Sequence, residues 1–111
     1  MTFITFIYKI GNNPKTYYGK YNTKYVSDDH EGLDNFVVRP FLMRGLNEYR
    51  KQKNLPKLKA KIQLGILSFS NNRYIPTFSS KKEIKAFDFY CDYDEKIYMN
   101  GKQIHIPNGG G

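Results

Sequence analysis

The stretch Thr2–Ile10 reads TFITFIYKI, with apolar or aromatic side chains at positions 3, 4, 6, 7, 8 and 10. So dense a run predicts a strand buried on both faces. Gly11-Asn12-Asn13-Pro14 follows and is turn chemistry. Thr16 to Tyr21 then resumes β character. The two segments predict an antiparallel hairpin, which most limits what the chain can become.

From Asn22 to Val38 the pattern is weak, and Ser27-Asp28-Asp29-His30-Glu31-Gly32 reads as an exposed loop. Pro40 offers a first helical position, because proline lacks the N–H that is unpaired there in any case. Leu42, Leu46 and Tyr49 recur at helical spacing, while Arg44, Glu48 and Lys51 face elsewhere. A helix is therefore predicted from about Pro40 to Lys53, stopping before Asn54-Leu55-Pro56. A third strand is expected over Lys61 to Phe69, and Pro76 confines Arg73 to Phe78 to an edge or a loop. Ser79 or Ser80 is a candidate N-cap with Glu83 near the capping-box position. With Ile84, Phe87, Tyr90 and Cys91 at helical spacing, a second helix is predicted over Ser80 to Asp92. Asn100-Gly101 between two apolar runs signals a C-terminal β-hairpin. The expected fold is a single α+β domain over residues 1–107. It has a small antiparallel three-stranded sheet flanked by helices, with a flexible glycine-rich tail at 108–111.

Charge narrows the function. The 111 residues carry 18 Lys and Arg against 10 Asp and Glu, a net charge of +8. That surplus favours a polyanionic partner. Cys91 stands alone, which excludes an internal disulfide and a cysteine-based zinc cluster and fits a reducing compartment. The apolar N-terminus lacks a basic leader and is too short to span a bilayer, so the expected location is intracellular, neither secreted nor in a membrane. The Lys-, Asn-, Tyr- and Ile-rich wording points to an AT-rich genome, viral or mobile.

Phe6-Ile7-Tyr8 and Tyr17-Tyr18-Gly19 resemble the two paired tripeptides of the GIY-YIG nuclease family, and Tyr18-Gly19-Lys20 is also similar to common family wording. The likeness covers the first twenty residues well and the rest only in the order of elements. Phe6 stands where the family has its first Gly, and Tyr18 where it has Ile. The eight residues between Tyr8 and Tyr17 make a short connection for the family.

The resemblance implies a catalytic set of Tyr8, Tyr17, Arg44 and Glu83, with Glu83 holding one Mg²⁺ or Mn²⁺. Arg39 competes with Arg44, and Asp88 is the reserve for Glu83. Each residue type suits its role on chemical grounds. A phenol relays a proton or positions a water. Arginine offers phosphate a bidentate fork and stays charged. A carboxylate is a hard oxygen ligand for a metal that keeps most of its waters. A late Asn supports the site in the family, but here Asn100 is assigned to a turn and Asn108 adjoins the glycines. Lys20, Lys51, Lys53, Lys57, Lys59 and Lys61 are the expected contacts to nucleic acid, with DNA ahead of RNA and a targeting protein as a further partner. The function expected is metal-dependent hydrolysis of phosphodiesters. The alternatives are a non-catalytic nucleic-acid-binding module and a protein-interaction domain.

Overall fold

A computed structural model describes residues 2–23, 30–69, 72–73 and 88–105. The chain is α+β. Strands β1 (Thr2–Ile10) and β2 (Tyr17–Thr23) form the expected antiparallel hairpin, in a register that sets Phe6 opposite Gly19 and Tyr8 opposite Tyr17. Strand β3 (Ile62–Phe69) runs antiparallel along the other side of β1, which makes β1 the central strand. Central placement matches the dense apolar pattern of β1: Ile4, Phe6 and Tyr8 on one face and Ile7 on the other are all buried.

The sheet is larger than the three strands expected. Its order is β4-β3-β1-β2-β5-β6-β7, with β4 (Asn72–Arg73), β5 (Phe89–Cys91), β6 (Ile97–Met99) and β7 (Lys102–His105). Every pairing is antiparallel except β2 with β5, which is parallel. Strand β5 lies inside the span expected to be the second helix. Phe89 and Cys91 are buried and Tyr90 is half-buried, a period of two that outweighs the helical spacing in so short a run. Residues 80–87 of that predicted helix lie outside the described residues, as do residues 24–29, 74–78 and the tail. Asn100 and Gly101 both take positive φ, 52° and 83°, and close the β6–β7 hairpin as the Asn-Gly signal predicted.

The helical layer starts earlier than expected. A short turn α1 (His30–Gly32) leads into a π-helical stretch, Leu33–Val38, and then into α2 (Arg39–Gln52). Arg39 N–H donates to the Asp34 carbonyl five residues back, the wider π spacing. The widened turn accommodates Pro40, which has no N–H to give and would otherwise crowd the preceding turn. The stretch is pinned by Arg39, whose Nε and Nη2 each lie 2.9 Å from Asp34 Oδ1 and whose Nη1 donates to the Ile62 carbonyl at 2.6 Å.

α2 packs Phe41, Leu42 and Leu46 onto the sheet face that carries Ile4, Phe6, Tyr8 and Tyr21, forming the core. Gly45 lets the helix come close, since a Cβ there would press on Phe89 and Ile97. The helix ends in a Schellman motif. Asn54, at φ 57°, gives its N–H to the Lys51 carbonyl, and Leu55 gives its N–H to Arg50. That motif turns the chain back along the sheet and places Leu55 and Leu58 beside the end of β1. No helix among the described residues is long and apolar enough to cross a membrane.

Candidate functional site

Tyr8 and Tyr17 face each other across the hairpin with ring centroids 5.1 Å apart and planes 13° from parallel. They belong to a cleft of about 310 Å³, whose walls include Leu46, Tyr49 and Arg50 of α2, Leu55 and Leu58 beyond it, Lys15 before β2, and Asp88 and Asn100. Cross-strand pairing puts the two phenols on the helix side of the sheet. The end of α2 then supplies the opposite wall.

The charged groups Lys15, Arg50 and Asp88 of the cleft wall are each held by a local device. Asp88 precedes β5, where its N–H donates to the Tyr18 carbonyl at 2.8 Å and its Oδ2 accepts the Tyr18 N–H at 2.9 Å. Its carbonyl accepts the N–H of Asn100 at 2.8 Å, which draws the hairpin tip onto the site. Arg50 donates from Nε to the Pro56 carbonyl at 2.7 Å. Asn47 Oδ1 accepts the Leu58 N–H at 2.8 Å, and the two contacts fix the returning loop against the helix. The Lys15 ammonium lies 4.7 Å from the Tyr17 ring centre, a cation–π contact.

The two tyrosines differ. Tyr17 is half-buried, whereas Tyr8 is 0% exposed. Among the described residues the Tyr8 hydroxyl has no hydrogen-bond partner. Burial pushes the Tyr8 phenol well above the usual tyrosine range, and the nearby Asp88 carboxylate and Tyr17 phenol push it further. Tyr8 is therefore a neutral phenol at neutral pH, able to donate a hydrogen bond and unavailable as a phenolate.

The expected site residues divide. Tyr8 and Tyr17 come together as anticipated, and Asp88, the reserve carboxylate, stands with them. Glu83 lies outside the described residues. Arg44 does not line the cleft. It is exposed, with its guanidinium 5.2 Å from the Phe41 ring centre, and Phe41 packs edge-on against Tyr21 at 4.9 Å. Tyr21 is four residues along β2 from Tyr17, about 13 Å at the usual strand rise. Arg39, the competitor, is engaged with Asp34 and Ile62. The arginine that does line the cleft is Arg50, one turn beyond Leu46 and so at the border of the apolar helical stripe. That position was visible in the sequence. Lys15 was visible too, two residues before Tyr17.

The lysines also divide. Lys20 lies over the Phe3 ring at 4.2 Å, on the sheet face opposite Tyr17. It does not border the cleft. Lys57 and Lys59 are exposed and flank Leu58 in the cleft wall, while Lys51 and Lys61 are exposed outside it. Lys53 lines an adjoining groove of about 420 Å³ with Tyr49, Gln52, Lys102 and Ile104.

Phe6 explains its own departure from the family wording. Its ring lies over Gly19, where a Cβ would overlap it, and it packs on Phe89 at 5.8 Å between centroids. The aromatic fills the space above the glycine of the opposite strand. Comparison with known protein families, curated proteins and solved structures finds no match to this chain.

Among the described residues no three His, Cys, Asp or Glu side chains converge as a metal-binding group. A lone carboxylate is compatible with Mg²⁺, which holds several waters and needs only one or two protein carboxylates. Asp88 fits that requirement, with one oxygen anchored by the Tyr18 N–H.

Proposed function

We propose that this chain is a divalent-metal-dependent endonuclease that hydrolyses nucleic-acid phosphodiester bonds in the Tyr8–Tyr17 cleft. One observation carries the reading: stacked tyrosines, a backbone-anchored carboxylate, an arginine and a lysine share a single concavity. The resemblance of the two tyrosine words to the GIY-YIG family supports it, and implies DNA as the substrate and a partner that selects the site. Arg50 and Lys15 would grip the phosphate. The half-buried Tyr17 phenol would orient the attacking water or a phosphate oxygen. Tyr8 would donate to Tyr17 or to the phosphate as a neutral phenol. Asp88 would hold Mg²⁺ or Mn²⁺, which when bound supplies Lewis-acid stabilisation of the leaving oxygen. Glu83 remains the second candidate carboxylate.

A second reading is a nucleic-acid-binding module without catalysis. The complete burial of the Tyr8 hydroxyl favours it, because that oxygen touches no substrate unless the cleft opens.

Plasmid nicking with and without Mg²⁺ or Mn²⁺, beside a binding titration, separates the two. The expected result is metal-dependent nicking that Asp88→Asn abolishes while binding survives. Arg50→Ala should lower both, and Arg44→Ala neither. Binding without metal-dependent nicking establishes the module instead. A folded Asp88→Asn protein that nicks at the wild-type rate overturns the site assignment, and a chain that binds no nucleic acid overturns both readings.

A further inference from the structure

The second groove points to the form of the nucleic acid. We propose that it holds unpaired, single-stranded nucleic acid, with a base stacked on Tyr49 and neighbouring phosphates held by Lys53 and Lys102. The proposal rests on the reading of the adjoining cleft as a phosphodiester site.

Both concavities share Tyr49, Met99 and Asn100, so they adjoin each other at the hairpin tip. Among the described residues the second is lined by two lysines and no carboxylate. Its floor is apolar, made by Met99 and Ile104, and its end is braced by Gln52, which donates to the Ile104 carbonyl at 3.1 Å. Phosphates need the lysines, but they have no use for the apolar floor. An unpaired base has an apolar face, and a phosphate at each end of its sugar, so a single strand uses both parts of the groove at once.

Tyr49 is the natural platform. The ring is half-buried, and the Lys53 ammonium rests 4.9 Å from its centre. That face is capped by an exposed side chain that a ligand can displace. A base taking that place would exchange the cation–π contact for a base stack and release Lys53 to pair with the adjoining phosphate. A duplex is a poor occupant. Its base faces are stacked inside, and it meets proteins through its phosphates and groove edges. It cannot place a base face in concavities of 310 and 420 Å³, each near the low end of small-ligand pockets.

The test is fluorescence anisotropy with a labelled single-stranded DNA oligonucleotide and the same sequence as a duplex, without divalent metal so that nothing is cut. The single strand should bind at least about tenfold more tightly. Tyr49→Ala should weaken it by roughly five- to a hundredfold, the effect of one lost base stack, and Tyr49→Phe should restore it. Lys53→Ala with Lys102→Ala, both exposed positions, should flatten the log–log salt dependence by about 1.4, the value for two phosphates on a single strand. A duplex that binds as tightly overturns the inference and leaves the cleft reading intact. So does a double lysine variant with an unchanged salt slope, which needs no substitution in the core. Failure to bind either form at low salt removes the cleft reading as well.

Discussion

Replacing Tyr8 by Phe should make the protein more stable and less active. The hydroxyl is fully buried and has no partner among the described residues, so the folded state carries its desolvation without a compensating hydrogen bond. Such a group costs about 1–3 kcal/mol, and Phe keeps the ring that stacks on Tyr17 and touches Phe6 at 6.1 Å. Removing one oxygen leaves a small void, so the net gain should be about 1 kcal/mol. With a urea m-value of roughly 1–3 kcal/mol/M for a small domain, the midpoint should rise by about 0.3–1 M with m unchanged. If the phenol waits for a ligand, the same substitution should lower turnover in the nicking assay, the usual opposition between stability and a poised site. A destabilised Tyr8→Phe protein would refute the reasoning, because it would mean the hydroxyl is satisfied in the native state and is an ordinary core group.

Two other outcomes follow from the packing. Gly19→Ala places a Cβ into the Phe6 ring and should cost about 1–3 kcal/mol by denaturation, and less in a Phe6→Ala background. Strict additivity of the two changes would show that the rings and strand do not meet as described. Cys91 is the alkaline sensor: burial pushes its thiol up from 9.0 to about 12, with Asp92 and Glu95 adding to the effect. The native thiol keeps its proton where the unfolded one has lost it, so its contribution is full below pH 9 and is lost as pH rises towards 12. Cys91→Ala should therefore show a shallower loss of stability than wild type over that range.

The sequence disclosed what depends on local chemistry. The β1–β2 hairpin, β3 and the Asn100-Gly101 turn were legible because each carries its own turn residues and alternation. The body of α2 was legible from Leu42, Leu46 and Tyr49, and so was the meeting of Tyr8 with Tyr17. Where a second, non-local partner decides the outcome, reading failed. Tyr90 and Cys91 fit a helix by their spacing from Ile84 and Phe87, yet with Phe89 they form a strand because β2 and β6 offer hydrogen bonds on both edges. Helical structure before Pro40 was hidden because proline ordinarily marks a start. Here a π turn closes over it, held by the Asp34–Arg39 pair and the Ile62 carbonyl.

Arg44 lies away from the cleft for a related reason, which shows what shapes the concavity. Spacing from the helix start chose Arg44, but the cleft is defined by where α2 ends. The Schellman turn at Asn54 brings Leu55 and Leu58 into the wall of the cleft that Tyr8 also lines, and Arg50 is the arginine that this turn captures through the Pro56 carbonyl. Asp88 is likewise chosen by the sheet, through Tyr18 and Asn100, and by no motif of its own. The two tyrosines come from adjacent strands and are visible in sequence, while the charged groups opposite them come from the chain terminus of a helix and the entry to a parallel strand.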